Sequence, residues 1–195
     1  MIRFLTGAAA LTLAATQVAA EPHRYEIDPT HTTIAFMVDH IGYADTLGVF
    51  LDFEGGFTYD METRELSDLE ITVKTASVES FNEARDTHVR NKDFLDVENY
   101  PVMTFTAQVG TATSDTTGTV EGNLTLLDQT QPLVLDVILN KAAKYPFGHG
   151  RFTLGISASG TVQRSAFGMN YAVENGFVGD DVQVIIETEA MRVEN

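Results

Sequence analysis

The chain has no cysteine and no tryptophan, and positive charge is scarce: 12 Lys and Arg stand against 28 Asp and Glu, for a net charge of −16. Without cysteine there is no disulfide, thiolate zinc site, thiol nucleophile or C-x-x-C-H haem attachment, so stability must come from the core. An acidic surface repels phosphate backbones and anionic headgroups, and nucleic acid is therefore not an expected partner. The acidic residues are scattered rather than blocked, which suits a solvated surface better than a disordered tail. No linker, repeat or low-complexity stretch divides the chain. What is present is aromatic bulk, in twelve Phe and six Tyr, and a persistent alternation of apolar and polar residues.

Residues 1–20 read as a cleavable secretory signal. Met1-Ile2-Arg3 is a short positive start, Phe4 to Val18 is apolar or small with few interruptions, and Val18-Ala19-Ala20 places small residues ahead of a cut before Glu21. The competing reading, an uncleaved anchor, needs about 20 apolar residues, and this run is shorter. Removing it takes away one cation, Arg3, and leaves residues 21–195 as one domain large enough for a sizeable core.

Alternation then dominates. Thr32, Ile34, Phe36, Val38 and His40 share one face of an expected strand, and Thr33, Ala35, Met37 and Asp39 the other. Leu47 to Tyr59 reads as one strand with a bend or bulge at Gly55-Gly56. The same style recurs around Leu69–Val73 and over 102–109, 119–127, 133–139, 152–162, 169–173 and 182–188, with Asp- and Gly-rich turns between. About eight or nine strands with sequential neighbours paired predict an all-β fold, an antiparallel barrel or sandwich.

One α-helix interrupts the strands. Ser80-Phe81-Asn82-Glu83 fits a capping box with Ser80 as N-cap, and Phe81, Ala84, Arg85, His88 and Val89 follow on one face. Asp93-Phe94-Leu95-Asp96 is expected to turn, and Pro101 to start the next strand. Such a helix is expected to plug one end of a barrel.

Signals for chemistry are sparse. There is no Gly-x-Ser-x-Gly elbow and no phosphate-cradling loop. The Asp93/Asp96 and Asp180-Asp181 pairs read as solvated loop charges. Among five histidines none shows the i,i+4 spacing of a helical zinc site, and no metal is expected. His23 and His149 read as exposed. His40, Arg85 and His88 are either hydrogen-bonded structural groups or polar contacts set in an apolar cavity. The phenylalanines either fill the interior or line it; an eight-stranded barrel can be packed or can hold one ligand, and alternation does not distinguish the two.

Several ordered motifs resemble the YceI-like family of exported, lipocalin-like polyisoprenoid-binding proteins. They are Tyr25-Glu26-Ile27-Asp28-Pro29-Thr30-His31-Thr32; Gly48-Val49-Phe50 with Phe53-Glu54-Gly55; Arg85-Asp86-Thr87-His88-Val89; Asp93-Phe94-Leu95-Asp96-Val97; Tyr100-Pro101; and Arg164-Ser165-Ala166-Phe167-Gly168. The resemblance runs over about 22–191. It departs from the family pattern in three places: Thr32 replaces a serine, Leu95 replaces a second ring, and Ala166 replaces an aspartate.

The resemblance implies a lipocalin-like antiparallel barrel with an apolar tunnel. Its implied ligand is a long-chain isoprenoid or related lipid: a polyprenyl lipid, a quinone tail or a fatty-acid derivative. It implies no enzymatic activity, no cofactor beyond such a lipid, a Gram-negative periplasmic location, and a homodimer or a membrane-protein partner as options. On this reading Phe36, Phe53, Phe94, Phe105 and Phe167 contact the apolar chain, and His40, Arg85 and His88 are candidate polar contacts. Two other readings stay open: an enzyme acting on a lipid or quinone headgroup through His88 with Asp86 or Asp93, and a structural or stress-response accessory whose barrel is filled by its own side chains.

Overall fold

A computed structural model describes residues 21–194. The expected signal and its cleavage point at residue 20 lie outside the described residues. Eleven strands and one helix follow in the order β1 (His23–Ile27), β2 (Thr33–His40), β3 (Ala44–Phe50), β4 (Phe53–Tyr59), β5 (Leu66–Lys74), β6 (Val78–Glu79), α1 (Glu83–Arg90), β7 (Val102–Ala112), β8 (Thr117–Leu126), β9 (Gln129–Lys144), β10 (Phe152–Gln163) and β11 (Val178–Arg192).

Every pairing is antiparallel, and the sheet runs β1-β4-β5-β7-β8-β9-β10-β11 and closes by pairing β11 back onto β1. The chain is thus an eight-stranded antiparallel barrel. Closure satisfies the backbone hydrogen bonds that an open edge would leave unpaired. The long β11 serves two partners on one side: Val178–Glu187 pairs with β2, and the last turn of register, Ala190–Arg192, closes the barrel on Ile27–Tyr25. β2, β3 and β6 form a flap on the barrel wall.

The alternation in the sequence sets which side chains enter. On β9, Leu133 and Leu135 are buried while Val134 and Asp136 are exposed; on β8, Leu124 and Leu126 are covered between Asn123 and the β8–β9 turn. Among the described residues no helix is long and apolar enough to cross a membrane.

Three local expectations are corrected. The strand expected over 47–59 is two strands, broken at Leu51-Asp52. Gly55-Gly56 lies inside β4, between β1 and β5, where the register shifts. A Cβ would stand 2.1 Å from the Glu70 carbonyl oxygen at position 55, and 2.1 Å from that of Tyr25 at position 56. Those glycines allow close backbone approach at a bulge, as the sequence predicts.

Residues 169–173 form turns rather than a strand. Arg164 explains this, because its guanidinium binds the carbonyls of Met169 and Tyr171 and holds the segment curled around it. The helix N-cap is Asn82, which accepts from the Arg85 N–H at 3.1 Å, and not Ser80; Phe81 is 69% exposed with φ 66°, so it is off the buried face.

The strand register defines two ends. The turns after Tyr59, Ala112 and Lys144 gather at one end, here the hairpin end. The helix and the segment after β10 gather at the other, the helix end.

Candidate functional site

The barrel is hollow. A cavity of about 380 Å³ runs along its interior, in the size range of small-molecule sites, and its walls are almost wholly hydrocarbon. Several strands contribute alternate positions: Ile71 and Val73 from β5, Leu133, Leu135 and Val137 from β9, and Val182, Val184 and Ile186 from β11. Small residues make room where rings intrude. A Cβ at position 122 would stand 2.4 Å from Phe105 Cζ, and one at position 48 would stand 2.2 Å from Phe36 Cζ, so Gly122 and Gly48 permit those rings to lie across the neighbouring strands.

The helix end is closed by Val89 of α1 and by Phe94 and Leu95 of the turn that follows. That turn is folded back by two backbone bonds, Leu95 N–H to Val89 O at 3.0 Å and Val97 N–H to Arg90 O at 3.1 Å. Arg90 ties the helix to the barrel by donating to the carbonyls of Ala76 and Val78 at 3.0 and 2.6 Å.

Beside this plug Arg164 reaches the cavity wall while only 2% exposed. Its Nε donates to Gly179 O (2.7 Å), Nη1 to Met169 O (2.8 Å), and Nη2 to Tyr171 O (2.9 Å) and Val178 O (2.8 Å). The Phe94 ring lies 5.8 Å from its guanidinium carbon. Burial lowers the Arg164 pKa from its ordinary value, and the nearby Asp180 charge works the other way. Asp180 itself accepts from the N–H and hydroxyl of Ser165 at 2.8 and 2.7 Å. The guanidinium is therefore held by carbonyl dipoles, without a salt bridge among the described residues.

The hairpin end is polar. Ser114, Thr116 and Thr117 stand at the rim with Arg64, whose Nη2 meets Asp115 at 2.7 Å across two turns. Asp115 is 91% exposed, so this pair is solvent-screened and weak.

The structure distributes the residues singled out from the sequence as follows. Phe36, Phe94 and Phe105 line the cavity. Phe53 and Phe167 are 7% and 4% exposed, packed in the core and outside the cavity lining. His40, at the exposed end of β2, is also outside it. Arg85 is exposed and turned to Ser80, donating to its hydroxyl at 2.7 Å and to its carbonyl. His88 stands outside the lining too, half-buried between the rings of Phe94 and Tyr171, with Nε2 3.0 Å from Asp93 Oδ2. Asp86, its other expected partner, is occupied by Ser80.

Phe50 and Arg164 are wall residues that sequence reasoning did not single out as ligand contacts. Phe50 follows an alternation broken at Leu51-Asp52. Arg164 sits at the end of a strand, where periodicity carries no information about direction.

The YceI-like domain model matches residues 25–190. A UPF0312 protein of Pectobacterium atrosepticum is 33% identical over 188 residues, covering 96% of this chain and 95% of that one. A Campylobacter jejuni YceI protein superposes with a TM-score of 0.72 at 26% identity, over 97% of this chain and 100% of that one. A polyisoprenoid-binding domain from Saccharophagus degradans superposes with a TM-score of 0.63 at 14% identity, over 87% and 98% of the two chains; that likeness is one of fold.

Proposed function

Since this chain belongs to the YceI-like family, we propose that it binds and carries a long-chain isoprenoid or related lipid within its barrel, without catalysis. The observation that carries this reading is the cavity itself, a continuous hydrocarbon surface walled by alternate residues of the barrel strands. Each methylene buried there contributes roughly 0.8 kcal/mol, so a few isoprene units bind firmly without a charged anchor. The polyisoprenoid-binding neighbour from Saccharophagus degradans supports the ligand class by its shared architecture.

Residues 1–20 act as a cleaved export signal in this reading, and the acidic carrier works in the periplasm, where a greasy chain needs an aqueous escort. N-terminal sequencing of the native protein should begin at Glu21; a product starting at Met1 would remove export by cleavage.

Native mass spectrometry after gentle purification tests the carrier function. A co-purified lipid mass is expected, or uptake of an isoprenoid quinone by stripped protein. Protein that arrives empty and takes up neither quinones nor polyprenyl lipids would overturn it. Phe105→Glu, which places a carboxyl group on the cavity wall, should abolish uptake; unchanged uptake would remove Phe105 from the site.

The His88–Asp93 contact at 3.0 Å favours a second reading, chemistry on a headgroup presented at the helix end. Turnover lost in His88→Ala with binding retained would support it over carriage alone.

A further inference from the structure

At the seam where the barrel closes, three potential metal ligands converge from two elements: Asp28 and His31 from the β1–β2 turn and Glu189 from β11. Their ligand atoms all lie within 4.8 Å of one another. His31 Nδ1 is 2.7 Å from Asp28 Oδ2 and 3.9 Å from Glu189 Oε2. We propose that Asp28, His31 and Glu189 form a binding site for one divalent first-row transition-metal ion of the Zn²⁺ type, which clamps the β1–β2 turn to β11.

Asp28 is buried and pre-set for this. Its Oδ1 accepts from the N–H and hydroxyl of Thr30 at 2.9 and 2.7 Å, which turns Oδ2 toward the imidazole. Its backbone N–H donates to Glu189 O at 2.8 Å, fixing the two ligand-bearing segments side by side.

Glu189 supplies a separate observation. Its Oε2 is shielded and has no hydrogen-bond partner, while the side chain as a whole is 33% exposed. A carboxylate oxygen shielded from water and lacking a donor is under-satisfied, and a cation beside it supplies the missing contact. Two carboxylates match a divalent charge. The imidazole favours a transition ion over Ca²⁺ or Mg²⁺, which prefer oxygen-only shells. Ligand bonds of about 2.0–2.2 Å require the three side chains to draw in only modestly around the ion. His31 is half-exposed, so an ion has a path from solvent.

The site lies next to the cavity without belonging to it. The following and preceding residues, Thr32 and Thr188, join hydroxyls at 2.7 Å and line the cavity wall. A bound ion would therefore stiffen the wall at the seam.

Untagged full chain stripped with chelator is titrated with Zn²⁺, and with Ca²⁺ as a control, by calorimetry and by competition with a fluorescent chelator. One equivalent of Zn²⁺ is expected, with a rise in Tm and no comparable response to Ca²⁺. His31→Gln and Glu189→Gln should each weaken Zn²⁺ at least tenfold, whereas His149→Ala should not. Co²⁺ added to wild-type protein should shift or broaden the His31 imidazole resonances before those of the other histidines, a readout that does not depend on any variant folding. No stoichiometric Zn²⁺ binding, wild-type affinity in both ligand variants, or Co²⁺ effects centred on another histidine would each overturn the proposal.

Discussion

Ser80 donates both its backbone N–H, at 2.7 Å, and its hydroxyl to the same carboxylate oxygen of Asp86, and both residues are almost fully buried. Arg85 completes the knot by donating to Ser80. A residue legible in the sequence as a candidate ligand contact thus holds the entry of the helix that closes the cavity. Burial alone would raise the Asp86 pKa, but the two hydrogen bonds from Ser80, with the Arg90 charge, hold it below its ordinary value.

Asp86→Ala should accordingly destabilise the fold by about 1–3 kcal/mol, because it leaves buried donors of Ser80 without an acceptor. The sign with pH follows from the lowered folded pKa. The contribution is fully present above the unfolded value of about 3.9 and is lost as pH falls through the lower folded value. Urea midpoints measured against pH should show the gap between wild type and variant narrowing in acid; a gap independent of pH would deny the carboxylate this role.

Gly48→Ala tests the wall at Phe36. The added Cβ would stand 2.2 Å from the ring's Cζ, so the ring must move. Overpacking of this kind costs about 1–3 kcal/mol. Binding of a fluorescent apolar probe should fall several-fold, and Phe36→Leu in the same background should restore part of it. Unaltered binding in the single variant would take Phe36 out of the ligand's path.

Arg164→Met keeps the volume and removes every donor, leaving the carbonyls of Met169, Tyr171, Val178 and Gly179 without this partner. A loss of about 3 kcal/mol or more is expected, with faster amide exchange across residues 168–178. Arg164→Lys should recover only part of the loss, since an ammonium cannot span the same fork of acceptors. Exchange unchanged in that segment would show that it is held by other contacts.

Tyr25 makes the opposite prediction. It is fully buried, stacked on Phe57 at 5.7 Å, and its hydroxyl has no hydrogen-bond partner. Tyr25→Phe should be within about 1 kcal/mol of wild type or more stable, because no bond is lost with the oxygen. Burial raises the Tyr25 pKa, with Arg192 opposing. The neutral phenol is thus favoured in the folded state, and that stabilisation is present below about pH 10 and lost as pH rises through the folded value. Alkaline unfolding should therefore come later in Tyr25→Phe; an earlier transition would point to a partner for the hydroxyl.

Much of the barrel was legible in the alternation. Thr32, Ile34, Phe36 and Val38 share a face in the sequence and share the cavity wall in the structure. His40 continues that period yet leaves the wall, because the strand ends there and the chain turns toward Ala44. The helix was visible, but its cap was not. Both Ser80 and Asn82 suit an N-cap, and the buried Asp86 carboxylate engages Ser80 instead.

The sequence by itself determined an all-β chain with one helix, an acidic exterior and a family pattern, since these rest on composition, on a period of two, and on the order of short motifs. Only the tertiary structure decided that the interior is hollow, that Phe36, Phe94 and Phe105 border the space while Phe53 and Phe167 fill the core, and that Asp28, His31 and Glu189 meet at the seam. Periodicity fixes the side of a strand on which a residue lies. Whether that side meets another side chain or open space, and which distant residue stands opposite, depends on closure and register across strands far apart in sequence.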